Sequence, residues 1–68
     1  MKINFGKNLA EALKNKTKSQ QALANYLGTT QQTVSRWIHG INEPDYSTLL
    51  RICEFLDETP NLLLGYER

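Results

Sequence analysis

Sixty-eight residues, 40% hydrophobic and 22% charged, are expected to form one domain over 1–68, too short for two cores and dependent on tight helix packing or a partner subunit for stability. No run approaches the roughly 20 apolar residues of a bilayer span, the amino end MKINFGKN lacks the apolar core of a secretion signal, and the single Cys53 excludes an internal disulfide, so a cytoplasmic chain is expected. The net charge of +1 hides an uneven spread: residues 12–42 contain no Asp or Glu and carry Lys14, Lys16, Lys18 and Arg36, whereas residues 43–68 set six acids against Arg51 and Arg68.

The apolar spacing predicts helices from end to end. Over residues 4–16, Phe5, Leu9, Ala12 and Leu13 share one side, with Asn4 in the capping position. Ser19 opens a second helix in which Ala22, Leu23, Ala24 and Leu27 make a short apolar stripe. Its small alanines permit close approach of another helix, and Gly28 can take the left-handed backbone that ends it. Thr30 caps a third helix, where Val34, Trp37 and Ile38 fall at i, i+3 and i+4 and therefore share a buried face. Gln31, Gln32, Thr33, Ser35 and Arg36 are left pointing outward. Gly40 closes this helix, and Pro44 disfavours helix at Glu43, which makes the intervening segment a loop. Asp45 caps a longer fourth helix with Tyr46, Leu49, Leu50, Cys53 and Leu56 at helical spacing, while Ile52 and Phe55 widen its apolar face. Thr59 and then Pro60 open a short fifth helix through Leu62, Leu63 and Leu64, which Gly65 ends. The expectation is an all-α, compact five-helix bundle without strand, repeat or linker, whose centre is the hinged helix pair at residues 19–39.

Taken in order and at their spacing, FGKNL in the first helix, SQQALA and Gly28 in the second, TTQQTVSRW in the third, the loop from Gly40 to Pro44, and LLRICEFL followed by TPNLLLG resemble the helix-turn-helix domain of the lambdoid phage repressor and Cro group and its wider family of bacterial xenobiotic-response-element-type regulators. The resemblance covers residues 5–65. It implies a lambda-repressor-like DNA-binding fold and a regulator of transcription, acting as a repressor or Cro-like switch. The third helix would then enter the major groove while the second crosses the sugar-phosphate backbone. Gln31, Gln32, Thr33 and Arg36 become the candidates for base contact, since a glutamine amide can pair with adenine N6 and N7 and an arginine can fork onto guanine O6 and N7. Ser19, Gln20, Thr30, Ser35 and Asn42 become the candidates for backbone contact. With so few cations, one copy would bind weakly, so a homodimer on a palindromic double-stranded operator is expected, with Leu62, Leu64 and Tyr66 as candidate dimer contacts.

The same residues admit plainer roles. Gln and Thr are common on solvated helix faces, Trp37 has the spacing of a core residue more than of a base-stacking one, and Tyr26 stays ambiguous. His39 lacks a second ligand for a metal and suits a helix carboxyl end. An interaction module of the same fold, such as an antitoxin or adaptor subunit, is the alternative. No metal, cofactor, small-molecule ligand or catalytic residue is expected, because the chain has no paired carboxylates, nucleophile with its base, or phosphate-cradling loop. Departures from the family pattern also count. Leu13 and Ile38 stand where many members place an arginine and a glutamate, and their packing is expected to replace that ion pair. Lys18 occupies a usually apolar position, and Ile41 and Glu43 lie in a loop that is often basic.

Overall fold

A computed structural model describes residues 4–65. Five helices follow one another: α1 (Phe5–Asn15), α2 (Gln20–Leu27), α3 (Gln31–Ile38), α4 (Tyr46–Leu56) and α5 (Pro60–Leu64), with no strand among the described residues. The bundle expected from the apolar spacing is therefore the one observed.

Four of the five amino ends carry the caps that the residue types predicted. Ser19, Thr30, Asp45 and Thr59 each accept a hydrogen bond from the backbone N–H three residues on, at 2.9–3.2 Å. Asn4 is the exception: it stands at the start of α1 but its side chain makes no capping bond. The carboxyl ends share a second device. In α1 to α4 the amide of Lys18, Thr29, Ile41 or Glu58 reaches back five residues to the carbonyl of Leu13, Ala24, Arg36 or Cys53, at 2.8–3.0 Å. This closure needs a left-handed residue just before the donor. Gly28 and Gly40 supply it, as their positions suggested, but Thr17 (φ 56°) and Asp57 (φ 54°) supply it in the other two. A β-branched threonine held there is strained by about 1–2 kcal/mol.

Every helix contributes to one core, in which Leu9, Leu23, Val34, Ile52, Leu56 and Leu63 are fully buried. α1 lies against α3 and α5, α2 against α3 and α4, and α4 against α5. Two residues expected on the apolar face of α4 are outside it, Tyr46 being 73% exposed and Leu50 39%. With about 100° between successive residues, the α4 arc that meets α2 and α5 is filled by Leu49, Ile52, Cys53 and Leu56, and the neighbouring positions turn to solvent.

Two residues that residue type alone does not single out fix how α1 meets its neighbours. Gly6 faces the last turn of α3 so closely that a Cβ there would stand 2.5 Å from the Trp37 carbonyl oxygen and 2.8 Å from the Ile38 carbonyl carbon. Only a residue without a side chain fits, and the contact sets the depth at which the carboxyl end of α3 rests on α1. Asn8 then donates from Nδ2 to the Leu63 carbonyl at 3.0 Å, tying α1 to α5. Leu13 is buried and Ile38 packs half-buried against the core, so neither aliphatic replacement points into solvent.

Candidate functional site

The pair α2–α3 turns at Gly28, whose left-handed backbone (φ 73°) leaves open space where a Cβ would stand. α3 is held from below by Val34, fully buried, and Trp37, 7% exposed, which settles the tryptophan as a core residue. Opposite that face Gln32 and Arg36 are exposed, with Thr33 and Ser35 half-buried to either side, while Gln31 is exposed at the first position of the helix, one turn before Val34. Gln32 and Arg36 are four residues apart and so stand one above the other on the helix.

Hydrogen bonding divides these candidates into two sets. The hydroxyls have partners inside the fold: Thr30 Oγ1 meets Thr33 Oγ1 at 3.0 Å, Ser19 caps α2, and Ser35 Oγ lies 3.2 Å from His39 Nδ1. By contrast, the amides of Gln31 and Gln32 and the guanidinium of Arg36 make no side-chain hydrogen bond or ion pair among the described residues. Three long, unengaged polar tips therefore project from one exposed helix. Gln20, the first residue of α2, is half-buried, and Asn42 is exposed in the loop beyond α3. Gln21 is tied to Asn25 at 2.9 Å.

The cations are engaged more fully than a count along the chain suggests. Lys16 pairs with Glu58 at 3.4 Å, and Lys18 sits over the Phe55 ring at 5.2 Å. Arg51, which the sequence left as an ordinary surface charge, donates to the Tyr26 carbonyl at 3.0 Å and the Leu27 carbonyl at 3.4 Å. Its guanidinium carbon also stands 5.6 Å from the Tyr26 ring centre, and Tyr26 packs on Phe55 at 5.0 Å. This corner joins α2 to α4 and gives Tyr26 a structural part. The unpaired carbonyls at the end of a helix attract a cation, and an arginine 24 residues further on is not visible as that cation until the chain is folded.

The rest of the surface offers little other chemistry. Among the described residues no three of His, Cys, Asp and Glu are placed to hold a metal ion, and no helix is long and apolar enough to cross a membrane. Burial pushes the Cys53 thiol above its ordinary range, which keeps it protonated and unreactive at neutral pH. The Thr48 side chain and then its backbone N–H, both bonded to Asp45, hold that carboxyl below its ordinary value. Leu62 and Leu64 are half-buried, and Tyr66 lies outside the described residues.

Comparison with known proteins follows the same lines. A helix-turn-helix family model matches residues 9–63. The chain is 38% identical, over 93% of its length, to an uncharacterized HTH-type transcriptional regulator YqaE of Bacillus subtilis, of which it covers 54%. It spans about half the length of the curated relatives it matches. The fold superposes on the P22 c2 repressor in complex with a synthetic operator with a TM-score of 0.84 at 24% identity, covering 98% of this chain and 100% of that one. With the restriction-modification controller protein C.AhdI from Aeromonas hydrophila the TM-score is 0.81 at 28% identity, over 90% of this chain and 88% of that one. The chain belongs to the helix-turn-helix family of the phage repressor and Cro type.

Proposed function

We propose that this chain is a sequence-specific double-stranded DNA-binding regulator of transcription, a repressor or Cro-like switch, that reads the major groove with α3. The observation that carries this reading is the set of unengaged tips on α3, Gln32 and Arg36 opposite the face locked into the core and Gln31 exposed at the helix's first position. An α-helix fits a major groove about 12 Å wide, and amide and guanidinium tips match the donor and acceptor pattern of adenine and guanine edges. Thr33, beside Gln32 in the first turn of α3, adds a shorter contact. Ser19, Gln20 and Thr30 near the amino ends of α2 and α3, with Ser35 and Asn42, hold the flanking phosphates and set the register. The regulator relatives and the operator-bound P22 repressor support the same assignment.

Two copies act together on a palindromic operator. Half-sites one helical turn apart are about 34 Å from centre to centre, close to the 30 Å long axis of the described unit, so adjacent copies on one DNA face come within reach of each other. The chain works in the cytoplasm, without catalytic activity.

Selection of bound duplexes from a random pool tests the reading. One preferred half-site, repeated about its dyad, is the expected result, with Gln31→Ala, Gln32→Ala and Arg36→Ala each relaxing preference at one base pair. Gln20→Ala is expected to weaken all sequences alike. A pool that emerges unenriched rejects it.

A further inference from the structure

Among the candidates for base contact, Thr33 alone has its polar group already in use within the fold. Its Oγ1 lies 3.0 Å from Thr30 Oγ1, and its backbone N–H donates to that same Thr30 oxygen at 3.2 Å. We propose that Thr33 reads DNA through its γ-methyl group, as a detector of the thymine C5-methyl, while its hydroxyl serves the cap of α3. The proposal rests on the DNA-binding reading above and names the chemistry by which one residue of that site selects a base.

The hydroxyl is assigned by its protons. A threonine hydroxyl has one proton to donate and two lone pairs to accept with. Thr30 Oγ1 faces two donors, the amide and the hydroxyl of Thr33. With both lone pairs taken, its own proton is left for a phosphate, which offers only acceptors and is the partner that the proposed function gives to Thr30. The Thr33 hydroxyl is then the donor within the pair. It has no proton left for guanine O6 and N7, adenine N7 or thymine O4, the acceptors of the major groove. Turning it onto a base would break the link between Thr30 and Thr33 in the first turn of the helix. The γ-methyl carries no such tie.

Position favours the same group. At about 100° per residue, Thr33 falls between Arg36 and the buried Trp37 around α3, and it is half-buried there. A short side chain at the edge of the exposed face meets only what projects from the base pairs, and the thymine C5-methyl is the apolar group that does so in the major groove. Gln31, Gln32 and Arg36 then read donors and acceptors, and Thr33 reads the methyl that those polar tips cannot hydrogen-bond.

Titrations of the full chain with a duplex from the selection test this, each thymine in turn being replaced in both half-sites by deoxyuridine, which removes the methyl and leaves every hydrogen-bonding atom in place. For the wild type, one thymine is expected to stand out, its replacement weakening binding about fourfold per half-site, as for the exposure of one buried methyl. Thr33→Val keeps the methyl without the hydroxyl and is expected to show the same loss at the same thymine. Thr33→Ser keeps the hydroxyl without the methyl and is expected to bind the thymine and deoxyuridine duplexes alike. Thermal unfolding of both variants accompanies the titrations, so that a weakened cap is not read as a lost contact. A thymine preference that survives in Thr33→Ser and vanishes in Thr33→Val overturns the proposal, as does a half-site in which no replacement responds to residue 33. In either case, base preferences relaxed by Gln31→Ala, Gln32→Ala and Arg36→Ala leave the DNA-binding reading standing. A pool that emerges unenriched removes both readings together.

Discussion

Two polar regions of this molecule hold similar residue types in opposite states. On the outer face of α3, Gln31, Gln32 and Arg36 have no partner among the described residues. At the corner of α2 and α4, Lys18 and Arg51 each stand over an aromatic ring, and Arg51 also bonds the last carbonyls of α2. A charged group engaged by the fold contributes to stability, and moving it onto a ligand gives up that contribution. An unengaged group on a rigid helix loses little when it meets one. The difference teaches that a cation count along the chain overstates the footprint offered to a polyanion, whereas the side-chain partners identify the groups still available.

Substitutions can set the two regions against each other, with the largest effect expected at the support beneath α3. Gly6→Ala forces a Cβ onto the Trp37 and Ile38 backbone, so the carboxyl end of α3 has to shift away from α1. A loss of about 3 kcal/mol is expected, seen as a lowered denaturation midpoint. Arg36→Ala is expected to reverse the pattern. Chemical denaturation should be unchanged within about 0.5 kcal/mol, while affinity for a selected duplex falls by about 2 kcal/mol. Arg51→Ala is expected to weaken folding by about 1 kcal/mol without changing which base pairs are preferred in a repeated selection; a changed preference would place the corner inside the interface.

Smaller effects sharpen the account of the helix ends. Thr17→Gly removes a β-branched side chain from a left-handed position and is expected to raise stability by about 1 kcal/mol, measured by urea denaturation. Asp45 gives a pH signature. Bonds from Thr48 hold its carboxyl below the ordinary value of 3.8 in the fold. Its contribution is therefore complete above about pH 3.8 and disappears as pH falls through the lower folded value. Asp45→Asn is expected to flatten that part of the acid limb in a series of melting curves.

Much of this organisation was legible in residue types and spacing. Serine, threonine and aspartate at four helix starts acted as caps because their short side chains reach the third amide, and Val34 with Trp37 marked the buried face of α3 because three residues bring a side chain back to the same side. The outward set on α3 was legible for the same reason. What stayed hidden depends on contacts between distant residues. Gly6 looks like an ordinary helical glycine until α3 is laid against it, and Arg51 looks like a solvated cation until the end of α2 arrives. Thr17 was missed because a β-branched residue disfavours the left-handed backbone it adopts at the helix closure, and Asp57 because aspartate tolerates that backbone without marking it as glycine does. Tyr46 and Leu50 were misplaced because helical spacing gives a direction but not the width of the arc that neighbours cover.

The central claim is that the tips of Gln31, Gln32 and Arg36 meet base edges. The most direct measurement is the side-chain nitrogen–proton NMR spectrum of the chain titrated with a selected duplex and with an unrelated one. The account predicts that the Gln31 and Gln32 amide pairs and the Arg36 Nε–H shift and slow their exchange with solvent on the selected duplex alone. Side-chain signals that stay at their free positions while the chain is bound, or that move equally on both duplexes, would contradict it.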